Sequence, residues 1–319
     1  NLFVYGTLRH VPLLEIVLGR TAAHIDMVVC ELPGHAAMAA LEGPFPLIAV
    51  SQGHSQAGLA LNDLSDLDLE RLNFYEGGFD YTLGRETASN GLAIDVYFPP
   101  KLGVTPNGLW DLHAWESKWA AMTVIAAREV MSFFGERSTA DIVRMFPMIR
   151  LRAAANLNAL TSKHGHTTLR GDVDVISKTR EYTEFFALDA FEVKHERFDG
   201  TKTSTLQRAV FVGTDAAILL PYDPKRDRVL LVEQMRMGPL GRGDPNLWQL
   251  NPIAGRVDAC EAPQACAIRE AEEEVGLTIS HLEQVCEAYP SPGCSTEFFY
   301  QYVGLVDLPD DIVGISGLE

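Results

Sequence analysis

Cysteine and basic residues are scarce in this sequence and no hydrophobic run is long, so three classes of protein are disfavoured at once. The five cysteines form an odd set without a C-x-x-C pair, which argues against a disulfide framework. Lys and Arg number 26 against 43 Asp and Glu, and the net charge of −17 argues against nucleic acid and anionic membranes as partners. No run approaches the roughly twenty apolar residues that a membrane span needs. We therefore expect a cytoplasmic protein with reduced thiols.

The start of the sequence also lacks common features. The first residue is Asn1 rather than Met, and no charged and then apolar leader precedes the first apolar stretch, so we expect a few residues to precede it. The 319 residues, 47% of them hydrophobic, are enough for two domains with separate cores. Internal repeats and low-complexity segments are absent.

An acidic segment follows Gly255 and runs into a helix that the pattern predicts from about Pro263. Residues three and four apart share one face of a helix, so Glu270, Glu273 and Glu274 should converge. Converging carboxylates repel unless a cation lies between them, and hard oxygen ligands suit Mg²⁺ or Mn²⁺. The alternative is a solvated acidic helix face, which is what most runs of Glu are.

The spacing of residues around these carboxylates is specific. It matches GX5EX7REUXEEXGU, where U is apolar, the signature of the Nudix hydrolases, and the segment therefore resembles that family. Ala271 is smaller than the usual apolar residue at its position. The matching residues are Gly255, Glu261, Arg269, Glu270, Ala271, Glu273, Glu274, Gly276 and Leu277.

The resemblance implies hydrolysis of a nucleoside diphosphate linked to another group. Metal ions held by the helix would bridge the pyrophosphate and activate water. It implies that Glu270 and Glu274 are direct metal ligands and catalytic residues, and that Glu273 binds the metal directly or through water. It also implies a supporting role for Gly255, Glu261 and Arg269, in which Arg269 pairs with loop carboxylates and so holds the loop and helix in their relative geometry.

Neighbouring segments resemble the ADP-ribose pyrophosphatase branch of the family: residues 208–212, 230–236, 248–255 and 289–297. Pro292 lies fifteen residues beyond Leu277, about where that branch carries a marker proline, although Ser-Pro-Gly also forms ordinary turns. The branch implies a homodimer. It also implies substrate contacts, with solvated surface charge as the alternative for the two arginines and a metal contact as the alternative for Glu297. The candidates are Arg208, Arg236, Pro292 and Glu297.

The sequence ends where this branch usually begins its catalytic loop. In the branch, a Glu in a mobile loop after the last strands activates water, and here the chain stops at Glu319. We therefore expect the sequence to be incomplete at its C-terminus, with the catalytic base outside it. Glu319 is the candidate for the first acidic residue of that loop.

A second pair of motifs lies near the N-terminus. Residues 3–9, F-V-Y-G-T-L-R, describe an apolar strand entering a glycine turn, and Glu76 lies among aromatics and glycines in residues 72–81. A carboxylate in apolar surroundings has a raised pKa, which suits a general acid or base near neutrality. A buried strand and an ordinary loop residue are the alternative interpretations.

Together these motifs resemble the gamma-glutamylcyclotransferase-like (AIG2-like) family of small barrels. The resemblance implies that backbone N–H groups hold a gamma-glutamyl group and that Glu76 takes a proton from its α-amine, which then attacks the γ-carbonyl and forms 5-oxoproline. The motifs are equally compatible with a barrel that binds such a ligand without catalysis. The residues of the backbone cradle would be Tyr5, Gly6, Thr7 and Leu8.

The fold class expected is α+β with two domains. Residues 1–150 would form the cyclotransferase-like barrel with a helical tail, residues 151–180 a helical linker, and residues 181–319 a Nudix α/β/α sandwich with a mixed sheet. Apolar periodicity predicts helices over 66–75 and 109–134 and a capped helix start at Ser138. Strands are predicted over residues 2–5, 59–61, 94–98, 185–188, 191–198, 206–212, 216–220 and 229–235.

The resulting hypothesis is a Mg²⁺-dependent hydrolase that converts ADP-ribose to AMP and ribose 5-phosphate. Rivals are cleavage of another nucleotide sugar or a dinucleotide, a sensor that binds ADP-ribose without cleaving it, and a protein whose barrel has the main activity. The domain combination resembles bacterial proteins associated with tellurite resistance.

Overall fold

The computed structural model describes residues 1–77, 81–100, 103–161, 171–308 and 310. The chain separates into an N-terminal unit, Asn1–Thr161, and a C-terminal unit, Ser162–Glu319. Both units combine helices with a mixed sheet, so the predicted α+β class with two domains is confirmed. Within the described residues, no helix has the length and apolar character to cross a bilayer.

The N-terminal unit is built on a curled six-stranded sheet in the order β4-β5-β1-β3-β2-β6. Strands β1 and β5 run parallel, and the other neighbours are antiparallel. The strands are β1 (Leu2–Val4), β2 (Asp26–Ala40), β3 (Pro46–Asn62), β4 (Thr82–Thr87), β5 (Ala93–Phe98) and β6 (Pro106–Leu109).

Strand β1 is buried on both faces. Leu2 and Val4 pack in a cluster with helical residues, whereas Phe3 and the following Tyr5 pack in a second cluster inside the curl of the sheet. Alternate residues of a strand point to opposite faces, so a strand covered on both sides is apolar at every position. This explains the unbroken apolar run at the start of the sequence.

The helices of this unit begin largely where the sequence predicts. Ser65 and Asp68 form a capping box at the start of the helix predicted over 66–75, and Ser138 bonds Asp141 at the capped start of the last helix. The helix predicted over 109–134 begins at Leu112, because the Asp111 carboxylate caps it, and it contains one π-helical turn, Glu116–Ala120. The helices are α1 (Val11–Leu18), α2 (Asp66–Glu76), α3 (Leu112–Trp115), α4 (Ala121–Ser132) and α5 (Thr139–Thr161).

Regular structure occupies most of the described part of the range predicted as a linker, 151–180. Helix α5 continues to Thr161, and its Arg152 is buried against α4 in an ion pair with Glu129 at 2.6 Å. Residues 162–170 lie outside the described residues, and a strand, β7 (Val173–Thr183), follows. Packing on a neighbouring helix therefore accounts for the Ala-rich stretch that suggested a linker.

The C-terminal unit contains a three-stranded antiparallel sheet, β7-β8-β9, with β8 (Ala187–His195) and β9 (Leu206–Val212). Its main sheet has the order β11-β10-β16-β15, with β14 paired to β10, and a hairpin is formed by β12 and β13. Strands β10 and β16 are parallel. The bounds are β10 (Asp215–Asp223), β11 (Arg228–Val229), β12 (Val232–Met235), β13 (Trp248–Asn251), β14 (Ile253–Arg256), β15 (His281–Ala288) and β16 (Phe298–Leu305).

Three sequence predictions for this unit differ from the structure. The strands expected over 185–188 and 191–198 are one strand, β8, and the strand expected over 229–235 is divided into β11 and β12. Five strands, β7 and β13 to β16, were not predicted. The remaining helices are α6 (Met237–Arg242) and α7 (Pro263–Val275), and α7 begins where the sequence predicts.

Helix α7 lies close to the main sheet because its inner face is small. Ala267 and Ala271 are fully buried in one cluster with Leu219 and Ile253 of the sheet. A larger residue at position 271 would have to push the helix away from the strands. The small side chain of Ala271 thus brings the carboxylates of α7 near β14.

Candidate functional sites

The N-terminal unit contains a cavity of about 60 Å³ beside the turn that follows β1. The sequence-predicted Tyr5, Gly6, Thr7, Leu8 and Glu76 all line it, although Glu76 comes from the end of α2. Further lining residues come from separate strands and loops and were not among the predicted site residues, although Tyr81 ends the motif at residues 72–81. They include Phe45, Pro46, Tyr81 and Tyr97.

Close packing and hydrogen bonds hold the wall of this cavity. A β-carbon on Gly6 would lie 2.3 Å from Cγ of Pro46, so only glycine fits between the turn and β3. The Tyr5 hydroxyl donates to the Tyr97 carbonyl oxygen at 3.0 Å, and the Tyr97 hydroxyl donates to Oδ1 of Asn73 at 2.5 Å. Asn73 and Glu76 are three residues apart on α2, so one helix face carries both.

Burial shifts the pKa values of the titratable side chains that line the cavity. Desolvation raises the pKa of Glu76 to about 7, although its side chain is partly exposed to the cavity. Burial, and secondarily the neighbouring Glu76 charge, raises the pKa values of Tyr81 and Tyr97 above their ordinary range. Among the described residues that line the cavity, Glu76 is the one carboxyl group, and none is basic. The arrangement provides one proton acceptor that works near neutral pH.

In the C-terminal unit, β14 and α7 meet at Gly255. A β-carbon on Gly255 would lie 1.9 Å from Cδ of Glu270, so the absence of a side chain lets this carboxylate rest against the strand backbone. The fixed glycine of the motif therefore has a direct physical reason. It makes room for one of the candidate metal ligands.

Arg269 is the centre of the charge network on α7. Its guanidinium pairs with Glu261 at 2.9 Å, with Glu270 at 2.8 Å and with Glu273 at 3.0 Å. The bonds from Arg269 are the main cause that lowers the pKa of Glu261, which stays ionised. Arg269 thus joins the loop carboxylate to the helix, the arrangement that the resemblance implies for these two residues.

The carboxylates of α7 supply the oxygen donors that Mg²⁺ and Mn²⁺ prefer, so their chemistry fits such an ion. Their side chains, however, do not converge on a metal site: among the described residues, no three His, Cys, Asp or Glu are grouped in such an arrangement. Glu270 and Glu273 instead meet at Arg269, and Glu273 is largely exposed. Helical spacing predicted a shared face, but it could not predict that a neighbouring cation holds two of the three.

The remaining candidates lie apart from these contacts. Arg208 and Arg236 are exposed and bond to the Gln207 carbonyl and the Gln234 side chain. Pro292 is exposed in a turn. Glu297 packs on Gly213, where a β-carbon would lie 2.2 Å from its Cγ. The structure gives no direct contact between these four and the α7 carboxylates in the part of the chain that it describes, and Glu319 lies outside that part.

Two families match this chain. The NUDIX domain matches residues 213–313, and "Gamma-glutamyl cyclotransferase, AIG2-like" matches residues 2–115. The ADP-ribose pyrophosphatase of Escherichia coli (strain K12) is 36% identical over 149 residues, which cover 47% of this chain and 70% of that protein.

Two further relatives match a similar share of this chain at a similar identity. The ADP-ribose pyrophosphatase of Haemophilus influenzae is 34% identical over 151 residues, or 46% of this chain and 68% of that protein. The GDP-mannose pyrophosphatase of Yersinia pestis (strain Pestoides F) is 34% identical over 135 residues, or 42% of this chain and 67% of that protein. The sequence motifs in both halves of the chain thus agree with the families that match.

Proposed function

We propose, from the membership of this chain in the Nudix hydrolase family, that its C-terminal unit hydrolyses the pyrophosphate of ADP-ribose to AMP and ribose 5-phosphate with Mg²⁺ or Mn²⁺. The observation that carries the proposal is the Nudix motif on β14 and α7, where Glu270 rests in the space that Gly255 leaves. The similarity to two ADP-ribose pyrophosphatases supports this substrate above others.

Glu270, Glu273 and Glu274 would hold the metal, which when bound neutralises the pyrophosphate charge and activates water. Arg269 orients the neighbouring carboxylates through its ion pairs and lowers the pKa of Glu261. Gly255 sets the distance between Glu270 and the strand, and the small buried face of α7 holds the helix on the sheet. Arg208, Arg236, Pro292 and Glu297 are proposed substrate contacts.

A substrate panel with and without metal tests this function. We expect the full chain with Mg²⁺ to release AMP from ADP-ribose faster than it cleaves GDP-mannose or dinucleotides, and excess EDTA to abolish the reaction until Mg²⁺ is restored. Products are measured by chromatography. Preferred cleavage of another nucleotide sugar would support that rival, and tight binding of ADP-ribose without cleavage would support a sensor.

A Gly255→Ala variant tests the contact that carries the proposal. The added methyl group would displace the Glu270 carboxylate, and misplacement of a catalytic group by about 1 Å costs about a hundredfold in rate. We expect kcat for ADP-ribose to fall by about that factor, while thermal unfolding changes little because the Glu270 side chain can rotate away.

Gly238→Ala in α6 is the matched control for this substitution. A β-carbon there meets nothing within 4 Å, so its kcat should equal that of the wild type. Equal kcat values for wild type and Gly255→Ala would show that the close contact has no role in the reaction.

A second activity is proposed for the N-terminal unit, because Glu76 and residues 5–8 line one cavity. Glu76 would remove a proton from the α-amine of a gamma-glutamyl compound. The amine nitrogen then bonds to the γ-carbonyl carbon, the bond to the leaving amine breaks, and that amine takes the proton. The products are 5-oxoproline and the free amine. A barrel that binds the same ligand without turnover is the alternative.

The assembly proposed is a cytoplasmic homodimer. Exposed apolar side chains on β7 and β13 support a protein interface; they are Val173, Val175, Ile176, Trp248 and Leu250. The net charge of −17 argues against nucleic acid and anionic membranes as partners, and the partner proposed is a small nucleotide sugar.

A further inference from the structure

Arg256 is the last residue of β14 and the neighbour of Gly255. Gly255 faces Glu270 of α7, and alternate residues of a strand point to opposite sides, so the Arg256 side chain leaves on the other face of the sheet. There its guanidinium lies over the Phe185 ring, with 4.3 Å from Cζ to the ring centroid, and 5.3 Å from the Phe186 centroid. These aromatics belong to the turn between β7 and β8.

The charge of Arg256 is not paired. No described residue accepts a hydrogen bond from its guanidinium or forms an ion pair with it, in contrast to the three partners of Arg269. Glu297 attracts it from beyond ion-pair distance, and partial burial lowers the Arg256 pKa. A half-buried cation without a hydrogen-bond or ion-pair partner is costly unless a ligand supplies the opposite charge.

The surroundings of Arg256 are accessible to such a ligand. Phe185 is 53% exposed, so solvent reaches the stacked pair. Contact with an aromatic ring does not use the hydrogen-bonding capacity of the guanidinium, so its N–H groups stay available to a ligand. Those donors form a rigid fork that matches the oxygen atoms of a phosphate.

We propose that Arg256 binds a phosphate group of the nucleotide substrate, with Phe185 holding the guanidinium in position. The inference rests on the proposed hydrolase function, since β14 joins Arg256 directly to the Gly255 contact with the catalytic helix. The signature gives no hint of it, because position 256 is one of its unspecified residues. Glu297, opposite in charge, would limit weak binding of other anions at the same place.

Equilibrium binding of the two products tests the proposal. AMP and ribose 5-phosphate are titrated into the full chain with Mg²⁺ present, for wild type, Arg256→Met and Arg256→Lys. We expect Arg256→Met to raise the Kd of at least one product about ten- to a hundredfold, the range for loss of charge-assisted hydrogen bonds. Arg256→Lys should lie between, because it keeps the charge and loses the fork. The product affected most identifies the phosphate that Arg256 contacts.

Two controls make the result specific. Adenosine, which has no phosphate, should bind Arg256→Met and wild type equally. Arg197→Met removes the same charge from the exposed turn after β8 and should leave both product Kd values unchanged. Unchanged product binding in Arg256→Met, with or without a lower Tm, would overturn the proposal, and so would an equal loss for adenosine.

Failure of the hydrolase proposal gives a different result. In that case the wild type cleaves no member of the nucleotide panel, whereas the dependence of product binding on Arg256 can still be measured. Conversely, hydrolysis of ADP-ribose together with equal product binding by wild type and Arg256→Met would overturn the role of Arg256 alone.

Discussion

Glu274→Gln is expected to reduce kcat for ADP-ribose on the order of a thousandfold, the loss of several kcal/mol of metal-dependent stabilisation. Glutamine has the shape of glutamate without its charge, so α7 should stay folded on the sheet while a proposed metal ligand is lost. Glu274 is partly buried on the helix that Ala271 anchors. The measurement is steady-state AMP release with saturating Mg²⁺, alongside the Mg²⁺ concentration that gives half the maximal rate.

Glu272→Gln provides a matched control on the same helix. Glu272 is exposed, carries the same charge and lies on a different face from Glu270 and Glu274. Its kcat should stay within a few-fold of the wild type. Equal losses in both variants would mean that the reaction responds to the total charge of α7, and the assignment of Glu274 as a ligand would then be wrong.

The sequence predicted the position of α7 in the C-terminal site but not the contacts that its side chains make. The motif predicted the start of α7 at Pro263, because Pro is favoured in the first turn of a helix and the acidic residues follow with helical spacing. It did not predict that Arg269 would hold Glu270 and Glu273, since helical spacing gives a shared face and not the choice of partner. Arg256 was missed because its stacking partner Phe185 is distant in sequence.

Strand prediction failed where local composition opposed the tertiary structure. Strand β2 contains Pro33 and Gly34, which read as a turn, yet the strand continues through a bulge at which Gly34 takes a positive φ of 70°. Strand β7 is mostly exposed and rich in polar residues, so its periodicity is weak. Pairing with β3 and β8 overrides these local signals, and such pairing cannot be derived from one segment alone.

For the cavity in the N-terminal unit, the polarity of the sequence around Glu76 and the family motif predicted different features. Apolar neighbours alone predicted a raised pKa for Glu76, and burial does raise it to about 7. Only the family resemblance joined Glu76 to Tyr5 and its neighbours, which are some seventy residues away in sequence. Tyr81 and Tyr97 complete the wall through contacts that neither approach predicted.

Glu76→Gln is expected to reduce 5-oxoproline formation by about 10²- to 10⁴-fold, the usual contribution of a general base. Wild-type activity should rise with pH with a midpoint near 7, because only the ionised Glu76 can accept the proton. The assay measures 5-oxoproline release from gamma-glutamyl compounds between about pH 5 and 9. Glu70→Gln, an exposed residue on the same helix, should keep both rate and pH profile. Equal turnover by wild type and Glu76→Gln would rule out Glu76 as the base.

Glu76→Gln should increase the stability of the fold at high pH while it reduces activity. This combination distinguishes a catalytic role of Glu76 from a packing role. The folded-state pKa of Glu76, about 7, exceeds its ordinary value of 4.5, so the folded state binds the proton more tightly than the unfolded state. The stability linked to Glu76 is therefore fully present below about pH 4.5 and is lost as pH rises through about 7. Glu76→Gln should remove this loss and gain roughly 2–3 kcal/mol at pH 8 relative to wild type, with little difference at pH 4.5.

Denaturant unfolding followed by tryptophan fluorescence can measure this difference, because three of the four tryptophans, at positions 110, 115 and 119, belong to the N-terminal unit. Glu70→Gln should show no such pH-dependent gain. A variant that is inactive and yet more stable at pH 8 would mean that the fold tolerates an unfavourable buried carboxylate for the sake of its reactivity. A variant that is less stable at every pH would instead assign Glu76 a packing role, and the raised pKa would then have no functional meaning.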